Sequence, residues 1–233
     1  MTTPYYEDDF VTLYHGDCLE IDAWLEADVL VTDPPYGTQF SAANPRGGYG
    51  RRQDAAGRGS KHAPATAGMG AYIANDGTTE TRDAALVKWA HQGPALVFGS
   101  PRLSDPPGEW VDRLVWDKKR PGMNGGPWRY RHESIFVSAG FERRSNASVS
   151  ILTDFPEQSF HIHGKPIGLM TALVDCAPLG ATIADPFSGS GSTLVAAKNL
   201  GRKAIGIELE ERYCEIAARR LSQGVLDFGD EAS

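Results

Sequence analysis

The sequence predicts one α/β domain over residues 1–233, three layers thick, with a mostly parallel sheet between helices. Three observations predict it. The last third alternates strand, helix, strand and helix with short connections, which parallel strands require because each must be reached by a crossover. "DVLVTD" (Asp28–Asp33) is a short, nearly unbroken apolar run, the pattern of a strand buried on both faces. "PFSGSGS" follows a strand and opens a helix, the turn that closes a strand–helix unit at the carboxyl edge of such a sheet.

Taken in order, "FVTLYHGD" (Phe10–Asp17) alternates loosely and reads as a strand ending in a Gly-Asp turn, followed by the Asp28–Asp33 strand. From Ser41 to Gly70 the chain is dominated by Gly, Arg, Ala and Ser and has little to bury, so a mobile basic loop is expected over 41–76. Helical spacing returns at Thr81–Ala90, and the strand "ALVFGS" at Ala95–Ser100 follows. "DRLVWDK" (Asp112–Lys118) and "ESIFVSA" (Glu133–Ala139) read as two more strands around the Gly-, Arg- and aromatic-rich loop "KRPGMNGGPWRYRH". Lys165–Cys176 reads as a helix with Pro166 in its first turn, where its missing N–H costs nothing. Strand Thr182–Asp185, helix Thr193–Leu200, strand Lys203–Glu208 and a helix from about Glu210 to Leu221 complete the series. No internal repeat interrupts it.

Composition excludes several classes. Hydrophobic residues make up 41% of 233 positions, enough for a core, and no apolar run is long enough to cross a bilayer. The N-terminus "MTTPYYEDDF" is acidic, unlike a signal peptide, and Cys18, Cys176 and Cys214 form no CxxC pair. Reduced thiols and a cytoplasmic location, in a bacterial or phage-infected cell, are the expectation. The net charge is −7, yet Arg46–Lys61 carries a local +4 and Arg113–Arg144 a local +5. Such polarity suits one face to phosphate while the body repels it; solvated basic loops would look the same.

In "ADPFSGSGSTLVAA" (Ala184–Ala197), Gly189 and Gly191 allow a tight turn and close backbone approach, and the helix start offers unpaired N–H groups. No Lys follows the second Gly, so this is not a phosphate-binding P-loop, and the third Gly of the dinucleotide fingerprint is missing. About fifteen residues on, the next strand ends in Glu208, where α/β nucleotide sites place an acid against ribose hydroxyls. A ligand with a ribose and a carboxylate but no obligatory phosphate, S-adenosylmethionine, matches this set.

"DPPY" (Asp33–Tyr36), "DPFSGSGST" and "GIELEERY" together resemble the exocyclic-amino DNA methyltransferases, which methylate adenine N6 or cytosine N4. With DPPY first and the Gly-rich motif near the end, the order is similar to the group called beta. "GDC" (Gly16–Cys18), "WDK" (Trp116–Lys118), "YRHES" (Tyr130–Ser134) and "GKP" (Gly164–Pro166) extend the likeness over nearly the whole chain outside Ser41–Gly70. The resemblance implies a Rossmann-like methyltransferase sandwich with a short target-recognition insertion. Its segments are a catalytic one at 10–37, candidate target recognition at 118–160 and cofactor binding at 165–223.

The chemistry explains the tetrad. A base's exocyclic nitrogen is a weak nucleophile because its lone pair is delocalised into the ring. Two fixed acceptors, the Asp33 carboxylate and the Pro34 carbonyl, would grip its hydrogens and free that pair. Pro35 restricts Pro34 to extended conformations and each ring locks its own φ, preserving an orientation that contributes about 7–11 kcal/mol in favourable cases. A duplex base must be flipped out to be reached; Tyr36 offers a stacking face, worth on the order of 1–3 kcal/mol, and Gly37 leaves room beside it.

By resemblance, Asp17 lies near the cofactor adenine, although an Asx turn would need the same residue. Asp185 and Phe187 belong to the cofactor motif, and Ser188, Ser190 and Thr193 are expected near its polar groups or as caps. Lys165 is either a partner for the methionine carboxylate or a surface lysine. His161 and His163 lack a third ligand, and no metal is expected. Arg51, Arg52, Arg58 and Lys61 in one loop, and Lys118, Lys119, Arg120, Arg129 and Arg131 beside the other, are the expected phosphate contacts of duplex DNA. Arg side chains or Asn124 would read base edges, while Trp128 and Tyr130 either wedge into the duplex or anchor the loop. A second copy of the chain and a cognate restriction endonuclease are left open as further partners.

The expected reaction is therefore adenine-N6 methylation of duplex DNA, since cytosine-N4 relatives often carry Ser at the head of the tetrad. Cytosine N4 stays open as the alternative. Methylation of a glutamine amide or of RNA would fit Asn in the tetrad and the reverse motif order. A catalytically inactive methyltransferase fold that binds nucleic acid should have lost Asp33 or Tyr36.

Overall fold

The structure is a computed structural model and describes residues 2–36, 77–119, 129–141, 150–153 and 164–223. Among these, nine strands form one sheet: β1 (Tyr6–Glu7), β2 (Val11–His15), β3 (Val29–Thr32), β4 (Ala95–Gly99), β5 (Trp110–Asp117), β6 (His132–Ser138), β7 (Ile151–Leu152), β8 (Ile183–Asp185) and β9 (Ala204–Glu208). Four helices accompany them: α1 (Glu80–Trp89), α2 (Ile167–Asp175), α3 (Ser192–Asn199) and α4 (Glu211–Ser222). The strand order is β1-β2-β9-β8-β3-β4-β6-β5-β7. The five from β2 to β4 are mutually parallel, as the Rossmann-like expectation requires; β6 runs antiparallel beside β4, and β5 is antiparallel to β6.

Side chains on a strand alternate between faces, and here the alternation sorts the core into two layers. Val29 and Val31 of β3 and Leu96 and Phe98 of β4 pack with Leu169, Leu173, Leu194 and Ala217 from α2, α3 and α4. Their neighbours Leu30, Ala95 and Val97 pack instead with Leu86 and Trp89 of α1 and with Trp24. Trp24, on a short 3-10 turn at Ala23–Glu26, stacks on Trp89 with ring centroids 5.8 Å apart. Both faces of the central strands are thus covered, which is why "DVLVTD" needed no polar alternation.

Each helix is built for its place. In α4 the buried residues Tyr213, Cys214, Ala217 and Leu221 recur at helical spacing along one face. Gly191, at the start of α3, has φ +80, and a Cβ there would stand 2.9 Å from the Ala217 Cβ. Only glycine satisfies both the left-handed backbone and the close approach of α4.

Candidate active site

The chain rises along β3 and then adds β4 on one side, whereas β8 and β9 are laid down on the other. The carboxyl ends of β3 and β8 therefore form a topological switch point, where open α/β sheets bind ligands. Register makes the juxtaposition specific. Leu30 pairs with Ala184, so Asp33 leaves the sheet beside the turn that follows Asp185. His15 pairs with Glu208, and the Gly16 N–H donates to the Glu208 carbonyl at 2.9 Å, which brings Asp17 to the same edge. Asp17, Asp33, the Gly189–Gly191 bend and Glu208 are consequently gathered at one end of four neighbouring strands.

Asp33 is half-buried at the head of its rigid Pro-Pro corner. The Tyr36 hydroxyl donates to Asp33 Oδ1 at 2.6 Å, and the Lys165 ammonium donates to Asp33 Oδ2. Lys165 also pairs with Glu133 Oε2 at 3.2 Å, and the Tyr36 hydroxyl lies 3.4 Å from that same oxygen. Lys118 closes the group from outside through an ion pair with Glu133 Oε1. Burial acts against the Lys165 charge, but the Asp33 and Glu133 carboxylates prevail and raise its pKa above the ordinary value. Burial likewise opposes ionisation of Glu133, and Lys165 and Lys118 hold it below its usual value. Burial, then the two carboxylates, push the Tyr36 phenol well up, so it remains a neutral donor.

On the other side of the switch point, Asp185 is turned into the protein and only 2% exposed. Thr32 Oγ1 donates to its Oδ1 at 2.7 Å, the Phe187 N–H at 3.2 Å, and the Thr193 hydroxyl adds a third bond. Burial nevertheless pushes this carboxyl up to about 7. Ser188 Oγ bonds back to the Asp185 carbonyl at 2.8 Å, completing a turn held from within. Glu208 Oε2 accepts the Gly189 N–H and Oε1 the Glu210 N–H, each at 2.8 Å. With a further backbone bond from Leu209, these orient the carboxylate, whose remaining lone-pair capacity can take a ligand hydroxyl. Phe187 is half-buried against the α1-side core. Ser190 faces away from this space: Arg220 of α4 donates to its carbonyl at 2.5 Å and to its hydroxyl at 3.0 Å. Asp17 accepts the Leu19 N–H at 2.8 Å, an Asx turn that fixes one of its oxygens.

The expected DNA contacts are partly in view. Lys119, Arg129 and Arg131 are exposed, with Arg131 bound to Asp117 at 2.7 Å, while Lys118 is drawn inward by Glu133. The exposed Tyr130 ring lies under Arg102, 5.1 Å from its centroid. Arg51, Arg52, Arg58, Lys61, Arg120, Asn124, Trp128, His161, His163 and Gly37 lie outside the described residues. Among those described, no three His, Cys, Asp or Glu side chains gather as a metal site, and no helix is long and apolar enough to cross a membrane.

Sequence reasoning did not single out Glu133, Thr32 or Arg220. Glu133 stands within the quoted "YRHES" and Thr32 within "VTD", but only the sheet order reveals what they touch.

A DNA methylase family model matches residues 142–219. The Type II methyltransferase M.ScaI of Streptomyces caespitosus is 25% identical over 94% of this chain and 83% of its own length. The Type II methyltransferase M2.LlaDCHI of Lactococcus lactis subsp. cremoris is 60% identical, over 42 residues that span 18% of this chain and 16% of that protein. Among solved structures, the M1.HpyAVI–SAM complex superposes with a TM-score of 0.59 at 24% identity, covering 90% of this chain and 99% of that one. With the motifs at one edge of the sheet, the chain is similar in sequence to DNA methyltransferases and shares the fold of the M1.HpyAVI–SAM complex.

Proposed function

We propose that this protein methylates the N6 amino group of adenine in duplex DNA, using S-adenosylmethionine and a flipped target base. The observation that supports the reading is the β3–β8 register, by which Asp33 and the turn leading to the Gly189–Glu208 cradle leave the sheet at adjoining strand ends. The residues present fit the cofactor. Glu208 is oriented by the backbone N–H groups of Gly189, Leu209 and Glu210 and keeps acceptor capacity for vicinal ribose hydroxyls. Gly189 adopts φ +52 with nothing within 4 Å of where a Cβ would be, so a ligand can approach its backbone. Asp17 has a second oxygen for the adenine amine. S-adenosylmethionine would supply an electrophilic methyl group on a positively charged sulfur.

The chain's own residues supply the rest. Asp33 accepts one hydrogen of the target amine and the Pro34 carbonyl the other, turning the nitrogen lone pair toward the methyl group. The Asp33 carboxylate would stabilise the positive charge that the nitrogen gains on accepting the methyl group, until a proton leaves to solvent. Tyr36 stacks on the extruded base. Lys119, Arg129 and Arg131, exposed beside the β5–β6 edge, position the phosphate backbone, together with Arg51, Arg52 and Arg120.

Expression in a methylation-free bacterial host followed by modified-base sequencing tests this reading. N6-methyladenine at a defined site is the expected result, and Asp33→Ala should abolish it while DNA binding persists. N4-methylcytosine would replace adenine as the target. Binding of DNA with no transfer of label from methyl-labelled cofactor would overturn the enzyme reading altogether.

A further inference from the structure

Lys165 ends in an enclosed cation site. It precedes Pro166 at the start of α2, and its side chain is 11% exposed. The ammonium donates to Asp33 Oδ2 and lies 3.2 Å from Glu133 Oε2. Three ring centroids surround it: Phe98 at 4.7 Å, Tyr36 at 5.9 Å and Trp116 at 5.9 Å. Two carboxylates and three π-faces form a site in which an ammonium gains at every contact. A cofactor carboxylate would be a poor third partner there, because Asp33 and Glu133 already present negative charge at hydrogen-bonding distance.

We propose that Lys165 and Glu133 form a positioning pair for the Asp33 carboxylate, acting on the methyl-accepting end of the site and not on cofactor binding. The inference rests on the methyltransferase reading above. Asp33 is 28% exposed at its side chain, and a carboxylate so placed could swing between rotamers. Lys165 on one oxygen and the Tyr36 hydroxyl on the other hold both. Each oxygen keeps a free lone-pair direction for an amine hydrogen, so the grip orients Asp33 without consuming it. Glu133 keeps the ammonium in place by taking a second of its hydrogens, and Lys118 on its other oxygen fixes Glu133 in turn.

The test uses the purified full-length protein with a duplex carrying the site found by sequencing. Methyl transfer and S-adenosylmethionine affinity are measured separately for the wild type, Lys165→Met, Lys165→Arg and Glu133→Gln. Misplacing a reacting group by about 1 Å costs on the order of 100-fold. Lys165→Met should therefore lower kcat about 100-fold and leave the cofactor Kd within about three-fold; Lys165→Arg should restore part of the loss. Glu133→Gln should lower kcat about ten-fold, the worth of one charge-assisted bond. It should also move the alkaline limb of the kcat–pH profile downward. The groups facing Lys165 are Asp33, Glu133 and the Tyr36 hydroxyl, with Lys118 beyond, and one of the two carboxylates that keep it protonated would be gone. If Lys165→Met does not fold, Glu133→Gln carries the same test through its kcat and pH profile. A Lys165→Met protein that keeps kcat but binds S-adenosylmethionine ten-fold more weakly would overturn the pair in favour of a cofactor role. Variants within two-fold of an active wild type would overturn it while leaving the methyltransferase reading intact. An inactive wild type would sink both.

Discussion

Thr32 Oγ1 and Asp185 Oδ1 lie 2.7 Å apart, a hydrogen bond between residues 153 positions apart that ties the end of β3 to the turn after β8. Both side chains are buried. This bond joins the strand that leads into the Asp33–Tyr36 corner to the turn that leads into the Gly-rich loop, and it holds the two together.

Removing its donor should therefore cost stability as well as rate. Thr32→Val keeps the shape but leaves a buried carboxyl with one partner fewer, a loss of about 1–3 kcal/mol. Urea unfolding should show a lower midpoint with an unchanged slope, as for a change confined to the native state.

Asp185 itself should impose a pH dependence of unusual sign. Its native pKa is raised from 3.8 to about 7, so the folded protein binds this proton more tightly than the unfolded chain does. The stabilisation is fully present below pH 4 and is lost as pH rises through 7, at up to roughly 1.4 kcal/mol per pH unit. Carboxylates held below their usual values, such as Asp8, Asp117 and Glu133, act in the opposite direction. The group is thus isolated by difference: from pH 4 to 8 the wild type should lose unfolding free energy relative to Asp185→Asn, which carries no proton to lose. Parallel curves would show that Asp185 ionises as it does in water.

The Tyr36 hydroxyl donates to Asp33 at 2.6 Å, and under the proposed reaction its ring has a second, separable task of stacking on the base. Tyr36→Phe should keep the ring and lose the hydroxyl, lowering kcat about ten-fold with KM for DNA little changed. Tyr36→Ala loses both. A stacking contribution of roughly 1–3 kcal/mol predicts a further 10- to 100-fold fall in kcat/KM, and fluorescence of 2-aminopurine at the target position should report less extruded base.

Glu208 offers a test confined to the cofactor side. Glu208→Gln keeps one acceptor oxygen and should weaken S-adenosylmethionine binding by about ten-fold, while Glu208→Ala should weaken it further. The Gly189 and Glu210 N–H groups, each 2.8 Å from this carboxylate, lose their acceptor in the alanine variant. Its thermal midpoint should fall accordingly, whereas that of the glutamine variant should move less.

Much of this architecture was legible before any coordinates. Strands β2, β3, β4, β8 and β9 and all four helices appear within a few residues of their expected bounds. Each has a local pattern, apolar runs for strands and helical spacing for helices, with a Gly or Pro near the start of α1, α2 and α3. Strands β1 and β7 were not legible, because two-residue strands carry no pattern and exist only through the neighbour they pair with. The 3-10 turn that buries Trp24 was missed for a similar reason: four residues show no period.

The sequence by itself determined the local chemistry of the site. The stiff acidic corner at Asp33–Tyr36, the glycine turn at 189–191 and the acid closing β9 are set by φ restrictions, missing Cβ atoms and strand ends, all properties of a few adjacent residues. Only the tertiary structure decided which charges meet. Lys165 reaches Asp33 across 132 positions, and Glu133 reaches Lys165 because β6 pairs antiparallel between β4 and β5. Sheet order and register place those side chains, and they follow from burying both faces of the sheet at once, a condition no short stretch of chain expresses.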